Sequence, residues 1–177
     1  MRRLSTIVSL IPLLPAIGQA APIEVTATLA GHVILPAQTF VMPPADGPHG
    51  LFMAGRFAGN ERIEQPYARL ERTGLARPFP GQALQGFSGI KHLPDGRYLL
   101  LTDNGFGGRT NSADAILMLH VAAPDWESGR LVVEETVFLA DPDRVVPFPI
   151  TTEHTDTRYL TGADLDPEAI QPVGNGY

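Results

Sequence analysis

The chain of 177 residues contains no cysteine. Disulfides, thiol nucleophiles, cysteine-ligated zinc and a lipid-anchored amino terminus are thereby excluded. Basic residues are few: 13 Lys and Arg stand against 19 Asp and Glu, a net charge of −6. With no basic stripe to neutralise a phosphate backbone, a nucleic-acid partner is not expected. Long hydrophobic runs are also lacking. The longest, Leu4 to Ile17, falls short of the roughly 20 residues that span a bilayer and is interrupted by Pro12 and Pro15. No segment has the period of an amphipathic helix, and no Walker or dinucleotide fingerprint occurs. The five histidines show no zinc spacing, and His32, His49, His92, His120 and His154 read as loop or surface residues.

What is present begins with an export signal. Met1-Arg2-Arg3 is a basic start, Leu4 to Ile17 an apolar run, and Gly18-Gln19-Ala20 a small-x-small cleavage site. Residues 1–20 therefore read as a secretory signal peptide, and 21–177 as the mature part. Its removal takes Arg2 and Arg3 with it and moves the net charge to −8. A periplasmic or secreted location follows, without a membrane span after cleavage.

Glycine (18) and proline (17) are plentiful and spread along the chain, as expected for many turns between short strands. Ile23 to Leu29 alternates apolar and polar residues like a half-exposed strand. Pro36 to Gly50 reads as loop, Leu51 to Phe57 as a short strand, and Asn60 to Thr73 as a short helix cut by Pro66. Phe87 to Asp103 reads as a hairpin. Ala115 to Ala122 and Leu131 to Leu139 form a second hairpin around the Pro124–Gly129 turn. Four antiparallel strands in about 50 residues outline one blade of a β-propeller, so the fold class is all-β.

One stretch starts twice. Ser88-Gly-Ile-Lys-His-Leu-Pro-Asp-Gly-Arg-Tyr is echoed by Glu168-Ala-Ile-Gln-Pro-Val-Gly-Asn-Gly-Tyr177, with Ile90 against Ile170, Leu93 against Val173 and Gly96 against Gly176 at an offset of 80. That offset is two units of about 40 residues, a blade-length period. The second copy stops before the strand that follows in the first, which leads us to expect the N-terminal blades of a longer propeller, poorly folded on their own.

Four constellations carry chemistry. Gly86-Phe87-Ser88-Gly89 approaches a nucleophile elbow, but residue 90 is Ile and a strand follows, so close strand packing is the plainer reading of Ser88. Asp103-Asn104-Gly105 ends an apolar strand; it is either a β-turn or a calcium or water ligand at a strand end. Asp164-Leu-Asp166-Pro-Glu168 places three carboxylates at alternate positions, on one side if the segment is extended. That is either a solvated acidic loop or a hard-oxygen site for Ca²⁺. Arg109, in Gly107-Gly108-Arg109-Thr110-Asn111, is either a contact for an anionic substrate or an exposed loop arginine.

The run Gly86-Phe-Ser-Gly-Ile90, then Asp95-Gly-Arg-Tyr-Leu, Thr102-Asp103-Asn-Gly and Leu160-Thr-Gly-Ala-Asp-Leu-Asp-Pro-Glu168 resembles the exported bacterial phytase-like family described as having esterase-like activity. The resemblance covers the chain from about residue 80 onward. It implies a β-propeller and a calcium-dependent hydrolase of phosphate or carboxylic esters acting on a small molecule. By the same resemblance Asp103, Asp164, Asp166 and Glu168 match its acidic motif positions. They become candidate metal ligands, with Asp103 and Glu168 also candidate catalytic groups and Arg109 a candidate substrate contact. The alternative is a non-catalytic extracytoplasmic propeller that binds a ligand or partner.

Overall fold

The computed structural model describes residues 23–47, 57–58, 61–62, 69–70, 75–76, 78–174 and 176–177. The signal-peptide reading of 1–20, most of the Leu51–Phe57 strand and most of the Asn60–Thr73 helix lie outside them. Within them the chain is all-β, with one 3-10 turn at Arg109–Asn111. The strands in chain order are β1 (Phe40–Val41), β2 (Phe57–Ala58), β3 (Glu61–Arg62), β4 (Arg69–Leu70), β5 (Leu75–Ala76), β6 (Gln82–Ala83), β7 (Phe87–His92), β8 (Tyr98–Thr102), β9 (Met118–Asp125) and β10 (Arg130–Phe138). Two-residue pairs β1–β6, β2–β3 and β4–β5 accompany a single four-stranded sheet, ordered β7-β8-β9-β10 and antiparallel throughout.

This sheet is the meander that the sequence outlines, with shifted ends. β9 starts at Met118, not Ala115, and runs through Pro124 to Asp125. Ala115 to Leu117 leave the sheet because their partners are elsewhere. Ile116 bridges Thr161, and Leu117 N–H donates to Leu160 O at 2.9 Å. Leu139 N–H donates in turn to Leu117 O, and Leu160 N–H to Leu139 O. This three-way junction closes over a core of Leu117, Ile150 and Leu160, flanked by Leu139 and Val146. A second small core joins Phe79 and Ala83 to Phe40 and Phe106.

The inner strands are the buried ones. Leu99, Leu100, Leu101 and Thr102 are all buried on β8, whereas β9 alternates buried Met118, His120 and Ala122 with half-buried Leu119 and Val121. His120 is therefore a core residue and not a surface histidine. On the opposite face, Leu165, Pro167, Ala169 and Ile170 face Leu101, Leu119 and Val137 across an apolar cavity of about 640 Å³. Gly89 allows that approach, since a Cβ there would lie 3.3 Å from Ile170 Cγ2.

Two further expectations fail. Ile23 to Leu29 forms no strand, and Ile23, Val25 and Leu29 are exposed. Alternation is only a pattern, and among the described residues no neighbouring strand pairs with it. The offset of 80 holds at the turn only: Gly96 N–H donates to Leu93 O at 3.1 Å, and Gly176 N–H to Val173 O at 3.0 Å. The strand β7, which precedes the first turn, has no counterpart over 168–172. Among the described residues there is one four-stranded sheet and no ring of blades.

Candidate active site

β8 ends at Thr102 and delivers Asp103 to the rim of the sheet. Asp103 N–H donates to Gly86 O at 2.7 Å, tying the rim to the residue before β7. Its Oδ1 accepts Gly105 N–H at 2.8 Å, an Asx-type turn that the Asp-Asn-Gly sequence favours. Gly86 adopts φ +62°, and a Cβ on it would stand 2.7 Å from Asp103 Cγ and overlap the carboxylate. Both the backbone angle and the close approach require glycine there.

Ser88 Oγ lies 3.4 Å from Asp103 Oδ2, too long for a strong O–H···O bond. The register of β7 on β8 shifts between Phe87 and Gly89, so Ser88 occupies a bulge and not a strand-to-helix elbow. Behind Asp103 lies a cavity of about 10 Å³, the size of one water molecule. Its polar walls are Gln82, Gln85, Thr102 and Asp103. Gln82 is fixed: Nε2 donates to Asp114 O at 2.9 Å and Oε1 accepts Ile116 N–H at 2.8 Å. Gln85 Nε2 donates to Gly105 O at 2.6 Å. Sequence reading missed both glutamines, since neither belongs to a motif.

The three alternating carboxylates do not share one ligand shell. Gly162 to Asp164 is a turn, so the segment is not extended through Asp164. Asp164 accepts four hydrogen bonds: Thr151 N–H and Oγ1–H on Oδ1 at 2.7 and 2.9 Å, and Thr161 N–H and Oγ1–H on Oδ2 at 2.8 and 2.9 Å. Those donors use about all four lone-pair directions of a carboxylate. Thr161-x-x-Asp164 has the spacing of a capping box, a signal legible in the sequence but not read there.

Asp166 grips Asn104 with both oxygens, Oδ1 from the backbone N–H at 3.1 Å and Oδ2 from Nδ2 at 2.9 Å. Asn104 Oδ1 then accepts Gly107 N–H at 3.1 Å. A Cβ on Gly162 would stand 2.6 Å from the carbonyl carbon of Asn104, so glycine lets the two loops touch. Glu168 is exposed and makes no hydrogen bond or ion pair among the described residues. Arg109 is exposed on the 3-10 turn. Among the described residues no three Asp, Glu or His side chains converge as a metal site requires. The structure thus brings Asp103, Asn104 and Asp166 into one bonded junction. Asp164 goes to the threonines, and Arg109 and Glu168 join neither group.

A family profile described as phytase-like, esterase-like activity of phytase, matches residues 82–177. The chain belongs to this family. The matched region of the phytase-like chain opens on β6 and takes in the whole four-stranded sheet, the rim at Asp103 and the 161–168 segment. No curated protein and no solved structure matches the chain. No helix among the described residues is long and apolar enough to cross a membrane.

Proposed function

We propose that the protein is an exported hydrolase of phosphate or carboxylic esters of small molecules, built on a propeller of which the four-stranded sheet is one blade. The observation that carries this reading is the coincidence of the phytase-like match with a half-buried carboxylate, Asp103, that borders a water-sized polar cavity. Asp103 acts as general base. It takes a proton from a water, whose oxygen bonds to the carbonyl carbon or phosphorus of the ester. The ester C–O or P–O bond then breaks, and the leaving oxygen recovers the proton from Asp103. Gly105 N–H fixes the carboxylate, the Gly86 carbonyl holds the Asp103 backbone N–H, and Asp166 fixes Asn104 next to it.

Asp164 does not fit the calcium that the resemblance implies, because donors occupy its oxygens, and Asp166 is committed to Asn104. No step is therefore assigned to calcium. The same engagement of the acidic segment favours, as a second reading, a propeller that binds a ligand without turning it over. Turnover of p-nitrophenyl phosphate and p-nitrophenyl acetate separates the two. The hydrolase reading expects activity on at least one of them, with Asp103→Asn lowering kcat by roughly 100-fold or more. Inactivity of the folded protein on both would favour the binding module.

A further inference from the structure

Residues of the 144–158 loops line a third hollow, open to solvent, of about 440 Å³. Its apolar walls include Val146, Pro147 and Phe148, and its polar lining is Arg144, Arg158 and Glu153. Arg158 is rigidly mounted. Its side chain is 2% exposed, Nε donates to Asp141 O at 2.9 Å, and Nη2 pairs with Asp141 Oδ2 at 3.0 Å. Its remaining terminal nitrogen, Nη1, meets Glu153 Oε2 at 2.7 Å. Arg144, 59% exposed, reaches the other oxygen of the same carboxylate at 2.9 Å. Arg144 (φ +54°) and Arg158 (φ +53°) are also the two non-glycine residues with positive φ among those described. Both guanidinium groups thus stem from a disfavoured backbone conformation, a feature that clusters at ligand sites.

We infer that this cavity is a binding site for an organic oxyanion, with Glu153 as an internal placeholder. One ligand carboxylate or phosphoryl group would take the position of the Glu153 carboxylate between the two guanidinium groups, and its apolar body would rest on Val146 and Phe148. Three observations support exchange. The Glu153 side chain is 34% exposed and its pair with Arg144, 59% exposed, is a surface pair that holds weakly. Arg158 keeps its orientation without Glu153, because Asp141 holds Nε and Nη2. Planar guanidinium forks match carboxylate and phosphoryl oxygens in geometry. The site is independent of the hydrolytic reading of Asp103.

The test uses phenylphosphonate, whose C–P bond an esterase does not cleave, so binding is read whether or not the protein is a hydrolase. Titration calorimetry should detect saturable binding to the wild type. Glu153→Gln, which removes the competing charge, should bind roughly threefold more tightly. Arg144→Asn, chosen because Asn tolerates positive φ, should bind roughly tenfold more weakly. Benzoate and inorganic phosphate separate the contributions of the second charge and of the apolar body. Undetectable binding to wild type, unchanged affinity in Arg144→Asn, or weaker binding to a folded Glu153→Gln would each overturn the inference. Should Glu153→Gln not fold, the comparison of wild type with the exposed Arg144→Asn decides alone.

Discussion

His120 lies inside the sheet with its side chain 0% exposed, its Nδ1 2.9 Å from Thr136 Oγ1 and its ring edge-on to Phe87 at 5.7 Å. Nε2 has no hydrogen-bond partner among the described residues. Burial therefore lowers its pKa to about 4, because a charged imidazolium has nothing there to replace its hydration. The unfolded chain protonates His120 near pH 6.5 and the folded one only near 4, so stability is full above 6.5 and drains as pH falls toward 4. About 3 kcal/mol would be lost over that window. His120→Gln should flatten the decline between pH 6.5 and 4, measured by urea melts across pH; an unchanged slope would place the proton elsewhere. A separate, lower window belongs to the carboxylates. Burial pushes the Asp141 carboxyl up, but the Arg158 hydrogen bond and the N–H groups of Val145 and Val146 leave it below its usual value. The Arg158 hydrogen bond likewise lowers Glu153. Their stabilisation is present above about pH 4 and lost below it. Removing one partner is more severe: Arg158→Ala would strand Asp141, 6% exposed, and should destabilise by about 3–5 kcal/mol in the same melts.

At the scale of elements, two loops are held together by carboxylates that, as sequence, read as metal ligands. The reason lies in the neighbours that the fold supplies. Thr151 is thirteen residues from Asp164 and Asn104 sixty-two from Asp166, and no local spacing announces such partners. Thr161-x-x-Asp164 is the exception, a local motif legible in principle. Glycines mark the contacts. Gly162→Ala would drive a methyl group into the Asn104 backbone, and Gly86→Ala into the Asp103 carboxylate at a positive φ. Each should destabilise by about 1–3 kcal/mol, and Gly86→Ala should also reduce ester turnover more than Gly162→Ala, because it displaces Asp103 directly. Equal turnover in the two folded variants would count against Asp103 as the base. The strands behaved differently: Leu99 to Leu101 and the Val-rich β10 carry enough β-forming and apolar residues to be read directly. Ile23 to Leu29 alternates as well, but among the described residues no strand pairs with it and it stays exposed.

At the scale of the whole molecule, the all-β class, the four-stranded meander and the phytase-like family were legible in the chain. The first two follow from periodicity and turn residues, the last from motifs spread over 86–168. The division of labour among the acidic residues was not, because the hydrogen-bond donors that saturate Asp164 become visible only once 151 and 161 are brought beside it. The proposed hydrolase reading gives Asp103 the chemistry and Asp164 a structural tie. Its most direct test compares Asp103→Asn and Asp164→Asn, each by thermal melting with calcium and with chelator, and by p-nitrophenyl ester turnover. The prediction is that Asp103→Asn keeps the wild-type melting point and loses turnover. Asp164→Asn should lose about 2 kcal/mol, roughly 4–8 °C in Tm, by an amount independent of calcium. A wild-type melting point raised by calcium and no longer raised in Asp164→Asn, with turnover intact in Asp103→Asn, would contradict it.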